Sequence, residues 1–101
     1  MILDDLKSKV IEFQKSKDTE RLGILRYFLS EVKYKEIELR PQNIEVTDEI
    51  VFKVLKKQIK NLNQSIELFA KGNRQDLVDK NKRELEIYKE FAGLFPYELE
   101  Q

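Results

Sequence analysis

Between Val51 and Phe69 the apolar residues Val51, Leu55, Ile59, Leu62, Ile66 and Phe69 recur at steps of three or four, with Lys, Gln and Asn between them. That is the period of an α-helix with one apolar stripe, and such a stripe is stable only when other elements cover it. The flanking residues mark where this helix begins and ends. Thr47 stands as N-cap before Asp48 and Glu49, which complement the positive first turn. After Ala70, Lys71-Gly72 places a cation at the negative end and then a residue suited to the left-handed conformation that closes helices.

The same period fills the rest of the chain. Leu3, Leu6, Val10 and Phe13, widened by Ile2 and Ile11, predict a first helix over about 2–17. Asp18 is the predicted N-cap of a second helix from Thr19 to about Leu39, whose Leu22, Leu25, Leu29 and Val32, with Ile24, Tyr27 and Phe28 beside them, cover more than one face. Within it, Gly23 is read either as a close helix crossing or as a tolerated glycine, and Arg26 as a stem that packs while its head pairs with a carboxylate of another helix. Arg40-Pro41 should end the helix, because the residue before proline is pushed from the α region. Asn73 is expected to cap a fourth helix over about 74–92 that buries Leu77, Val78, Leu85, Tyr88 and Phe91, with Lys82 and Glu86 as an ion pair. Beyond Gly93, the apolar residues Leu94, Phe95, Tyr97 and Leu99 should fold back on the helices. The prediction is an all-α, compact four-helix bundle with a short apolar C-terminal segment.

At 101 residues, with no Ser/Gly-rich linker or repeat, the chain reads as a single domain over 1–101. Nineteen basic residues balance nineteen acidic ones, so no whole-molecule field draws in nucleic acid or an anionic membrane, and any such binding must be local. There is no Cys and no His, which removes disulfides, thiol chemistry, zinc sites and histidine-based triads. The carboxylates look like helix surfaces, and the three scattered glycines form no phosphate loop. A non-catalytic protein without cofactor or metal is therefore expected. No stretch approaches 18 apolar residues, and Asp4 and Asp5 interrupt the start, so the expectation is a cytoplasmic protein with no membrane partner.

Three clusters are candidates for binding. Lys53, Lys56, Lys57 and Lys60 share one face of the third helix, opposite its apolar stripe, and could meet phosphates or simply be solvated. On the second helix Arg21, Arg26, Lys33, Lys35 and Arg40 are interleaved with Tyr27 and Tyr34, an arrangement that can stack on unpaired bases or form the edge of a core. Phe91, Leu94, Phe95, Tyr97 and Leu99 could meet a protein partner if they are not all buried.

With helix order and turns placed, the chain resembles the GatB/YqeY family, in particular the N-terminal helical half of YqeY-like proteins. The resemblance rests on DTERLGILRYFLSEVKYKEIELR at 18–40, on VTDEIVFKVLKKQIKNLNQSIELFAKGNRQDLVDKNKRELEI at 46–87 and on LFPYEL at 94–99. It implies an all-α fold related to the GatB tail of tRNA-dependent amidotransferases, which helps hold tRNA while catalysis belongs to other domains. Three departures stand out. The sequence ends at Gln101, where the family continues into a second small helical subdomain. The family's basic run before Ser-Ile-Glu stands here as Lys60-Asn61-Leu62-Asn63-Gln64. Ala92-Gly93 looks like an insertion before the Pro96 element.

Two functions follow as expectations. One is an accessory tRNA-binding module with Arg21, Lys33, Lys53, Lys56, Lys57, Lys60 and Arg74 on phosphates, its partner being tRNA or a tRNA-handling protein. The other is a protein-interaction module, monomeric or weakly dimeric, that uses Phe91, Leu94, Phe95, Tyr97 and Leu99 and binds no nucleic acid.

Overall fold

The computed structural model describes residues 1–99. The chain is all-α, with α1 at Ile2–Ser16, α2 at Thr19–Leu39, α3 at Asp48–Lys71 and α4 at Gln75–Ala92, and a 3₁₀ turn at Arg40–Gln42 between α2 and α3. It divides into two compact units, Met1–Val54 and Leu55–Gln101, and the boundary falls inside α3.

In the first unit α1 packs on α2. The buried side chains are Leu6 from α1, Leu25, Phe28, Val32 and Leu39 from α2, and Val51 and Phe52 from the start of α3. The α1 stripe is narrower than the sequence implies: Leu3, Val10 and Phe13 are half-buried and Ile11 is exposed. On α2, Tyr27 lies outside the core and Leu22, Ile24 and Leu29 are half-buried, so the helix is not covered on all sides. The Asp18 cap forms as predicted, its Oδ1 accepting the Arg21 amide at 3.1 Å, and Thr47 Oγ1 accepts the Ile50 amide at 3.3 Å. A longer-range bond accompanies them. The Ile2 amide at the start of α1 donates to Asp48 Oδ1 at 3.1 Å, across 46 residues of sequence.

The second unit holds the rest of α3, α4 and the segment after it. Leu55, Val78, Leu85, Ile87, Tyr88, Phe91, Ala92 and Phe95 are buried, and Tyr88 and Phe91 meet edge to face with ring centres 6.2 Å apart. Ile59, Leu62, Ile66 and Phe69 of the α3 stripe are half-buried, as is Leu77 at the start of α4. Phe95 confirms the folding back of the C-terminal segment, and Leu99 lies across a groove from α3.

The helix ends correct several expectations. Among the described residues, left-handed backbone occurs at Lys17, Asn43 and Asn73 and at none of the glycines. Asn73 donates to the Ala70 carbonyl at 3.2 Å and Arg74 to that of Phe69 at 2.9 Å, the paired bonds of a Schellman closure with Asn73, not Gly72, in the left-handed place. Asn73 is thereby committed to closing α3. The N-cap of α4 is Arg74, with no side-chain capping bond. Arg40 keeps helical angles (φ −53°, ψ −48°) although it precedes Pro41, because the proline ring is accommodated at the start of the 3₁₀ turn; the chain turns away only at Asn43. Gly23 marks no close crossing, since nothing lies within 4 Å of where its Cβ would stand. Arg26 is exposed and makes no ion pair among the described residues, and Glu86 pairs with Lys89 at 3.7 Å.

Candidate nucleic-acid interface

The candidate cations fall into two sets according to what surrounds them. Arg21 is held by Asp18, with Nη1 to Oδ2 at 3.0 Å. Lys33 and Arg40 converge on Glu36 Oε1, at 3.5 Å and 3.1 Å. Arg74 makes a two-pronged contact with Asp76, Nε to Oδ1 at 3.3 Å and Nη2 to Oδ2 at 3.2 Å. These carboxylates feel their partners. The Arg21 amide and then its guanidinium hold Asp18 below its ordinary range, Arg40 and then Lys33 do so for Glu36, and the Arg74 fork does so for Asp76. Asp76 in turn raises Arg74. Each such cation has its charge largely answered by its own helix or turn.

Lys53, Lys57 and Lys60 are different. They are exposed on one face of α3 at i, i+4 and i+7, and among the described residues none of them forms an ion pair. Lys56, at i+3, is half-buried and has a partner. The helix thus presents a row of cations opposite Leu55, Ile59 and Leu62, as the angular arithmetic of the sequence requires. Lys56 and Lys60 also border a groove of about 420 Å³ lined by Ile59, Asn63, Gln64, Glu67 and Leu99.

The neutralising roles of Glu36 and Asp76 were not read from sequence, yet for Glu36 the spacing carried the signal. Lys33 and Arg40 stand three before and four after Glu36, both within ion-pair reach on a helix.

Of the candidate partner-contacting residues, Phe91 and Phe95 are buried and Leu99 is half-buried, whereas Leu94 and Tyr97 remain 37% and 39% exposed. Tyr97 stacks on Phe95 with ring centres 6.5 Å apart. Among the described residues there is no group of three or more carboxylates placed to hold a metal ion, and no helix is long and apolar enough to cross a membrane.

These features define an all-α module whose longest helix carries Lys53, Lys57 and Lys60 without an ion pair among the described residues. The chain belongs to the family of YqeY-like proteins, whose model matches residues 3–101. It is similar to an uncharacterized protein of Schizosaccharomyces pombe, with 34% identity over 86 residues that cover 85% of this chain and 68% of that protein. It is also similar to "altered inheritance of mitochondria protein 41, mitochondrial" of Lachancea thermotolerans, with 38% identity over 93 residues, 91% of this chain and 46% of that protein. The protein of the same description in Pyrenophora tritici-repentis is 27% identical over 95% of this chain and 51% of its own length. The chain therefore spans about half the length of these mitochondrial relatives.

Proposed function

We propose that this chain is a non-catalytic YqeY-like module that binds tRNA through the lysine face of α3. One observation carries the reading: Lys53, Lys57 and Lys60 stand exposed on one helix face without a carboxylate partner among the described residues, while Arg21, Lys33 and Arg74 are held by Asp18, Glu36 and Asp76. Each phosphate met by a cation releases a counterion from the RNA, and a cation that must first give up its own carboxylate gains less from that exchange, so the unanswered lysines are the favoured contacts. The resemblance of the sequence to an amidotransferase tail that holds tRNA points the same way. The cytoplasm would give access to tRNA, as would mitochondria, the compartment for which two relatives are named.

The test is tRNA binding across a salt series for the wild type and for Lys53→Glu/Lys57→Glu/Lys60→Glu. If the three lysines each meet a phosphate, the slope of log affinity against log salt falls by about two to three in the variant. Equal, weak binding by both proteins overturns the proposal.

A second reading rests on Leu94 and Tyr97, which keep more than a third of their surface exposed after Phe91 and Phe95 are buried. On that reading a protein partner covers Leu94 and Tyr97, and Leu94→Asp abolishes its capture without lowering helicity.

A further inference from the structure

The outward face of α2 has a pattern that the folding of this chain does not use. Setting Ser30 at zero, Gly23 and Ile37 lie within roughly 20° of it, Tyr27 and Tyr34 roughly 60° and 40° to one side, and Arg26 and Lys33 roughly 40° and 60° to the other. The helix therefore carries a central column of Gly23, Ser30 and Ile37 at seven-residue spacing, an aromatic rim and a cationic rim. All seven residues are exposed, with Tyr27 at 55%, Tyr34 at 67% and Ile37 at 48%.

Two details show that this face suits burial under a helix. Glycine in a helix interior costs stability, and here nothing in the chain approaches it: no atom lies within 4 Å of the Cβ site of Gly23. Ser30 turns its hydroxyl onto its own helix, donating to the Tyr27 carbonyl at 2.7 Å, so covering it leaves no unmet hydrogen bond. Gly23 and Ser30, about 10 Å apart along the axis, form a shallow notch in which a second backbone can come close.

The two rims say which helix fits. If an identical helix lies alongside in the same direction, the two-fold axis runs parallel to both. The aromatic rim of each copy then faces the cationic rim of the other at nearly equal height, Tyr27 beside the partner's Arg26 and Tyr34 beside the partner's Lys33. If the second copy runs in the opposite direction, Arg26 falls beside the partner's Lys33 and like charges meet. We propose that α2 pairs in parallel with α2 of a second copy of this chain, with Gly23, Ser30 and Ile37 as the seam and four cation–π contacts along its edges. The proposal stands on α2 alone and is independent of RNA binding by α3.

The chain has no cysteine, which makes disulfide trapping clean. Gly23→Cys, Ile37→Cys and, as an exposed control on α4, Lys80→Cys are each oxidised as the full-length protein. In the parallel pair each seam position meets itself across the axis, so Gly23→Cys and Ile37→Cys become disulfide dimers faster than Lys80→Cys. In an equimolar mixture the links 23–23 and 37–37 exceed 23–37. Sedimentation from micromolar to near-millimolar concentration shows a monomer–dimer equilibrium that Tyr27→Ala/Tyr34→Ala weakens roughly thirtyfold, with unchanged circular dichroism. A chain that stays monomeric throughout, as it would if these rims served an RNA strand or the helix of another protein, overturns the proposal. So do seam cysteines that link no faster than Lys80→Cys, and a dominant 23–37 link, which signals an antiparallel pair.

Discussion

The outward faces of α2 and α3 carry cations at helical spacing, and they differ in what answers the charge. On α2, Arg21, Lys33 and Arg40 are met at 3.0 to 3.5 Å by Asp18 and Glu36, and Tyr27 and Tyr34 stand uncovered between them. On α3, Lys53, Lys57 and Lys60 face solvent; the later neighbours of Lys57 and Lys60 include the amides Asn61, Asn63 and Gln64, and those of Lys53 are Lys56 and Lys57. A count of basic residues would rate the two faces alike. What separates them is whether a carboxylate closes on the cation: Asp18 and Glu36 do so, whereas Glu49, four residues before Lys53, forms no ion pair with it among the described residues, and a cation without such a partner is still available to an outside anion.

The largest expected effect tests the inner and outer faces of α2. Phe28 is fully buried and its neighbour Tyr27 is exposed. Phe28→Ala should cost about 3–5 kcal/mol in urea unfolding, while Tyr27→Ala should stay within about 0.5 kcal/mol. A comparable loss from both would mean that Tyr27 is covered in solution, as the parallel pair requires at high concentration. Next comes the contrast between helices. Reversing Lys33 of α2 should leave tRNA affinity within about twofold at moderate salt, since it is already paired with Glu36, whereas reversing the three α3 lysines should lower the salt slope by about two to three. An α2 variant that loses more than the α3 variant would move the interface to the tyrosine-bearing helix.

Smaller effects test the helix ends and the notch. Gly23→Ala should stabilise the monomer by about 0.5–1 kcal/mol, read as a raised melting temperature in dilute solution, because the added methyl meets open space. Lys17 holds left-handed backbone (φ 59°) at the end of α1, so Lys17→Gly should gain up to about 1 kcal/mol, and Asn73→Gly less, since asparagine tolerates that conformation better. The smallest effect is the pH dependence of the α2 cap. Asp18 is stabilised as a carboxylate in the folded chain, so its folded value lies below its unfolded one. Its contribution is full above the unfolded value near 4 and fades as pH falls through the folded value, and Asp18→Asn should flatten acid unfolding in that range.

Most of the helical plan was legible in the sequence. Asp18 and Thr47 cap the helices that their positions announce, and Leu6, Leu25, Val51 and Leu55 lie where the apolar period puts them. The helix ends were harder, because two rules compete there. Residue type favours Gly72 for the left-handed place, but the register of the last hydrogen bonds assigns that place to the next residue, and Asn73 takes it. The residue before Pro41 stays helical because a 3₁₀ turn begins there with the proline in its first positions, where its missing N–H is not needed. The burial of Ile87 and Ala92 also escaped a one-stripe reading of α4. In the candidate interface the α3 lysines were legible from angle alone. The quenching of Lys33 by Glu36 had an i,i+3 signal that the angular reading passed over, whereas Arg74 and Asp76 stand two residues apart, a spacing that does not announce an ion pair on a helix.

The bond from the Ile2 amide to Asp48 has a consequence in time rather than in energy. It spans 46 residues, so it cannot form until α1, α2 and the turn after them have brought the first helix back to the third. Contacts of such sequence separation close late, after local helices have formed. The proton on that single amide is thus a clock for the first unit: its exchange with solvent should slow only when the whole 46-residue loop has closed, and its reopening should be among the earliest signs that the unit is coming apart.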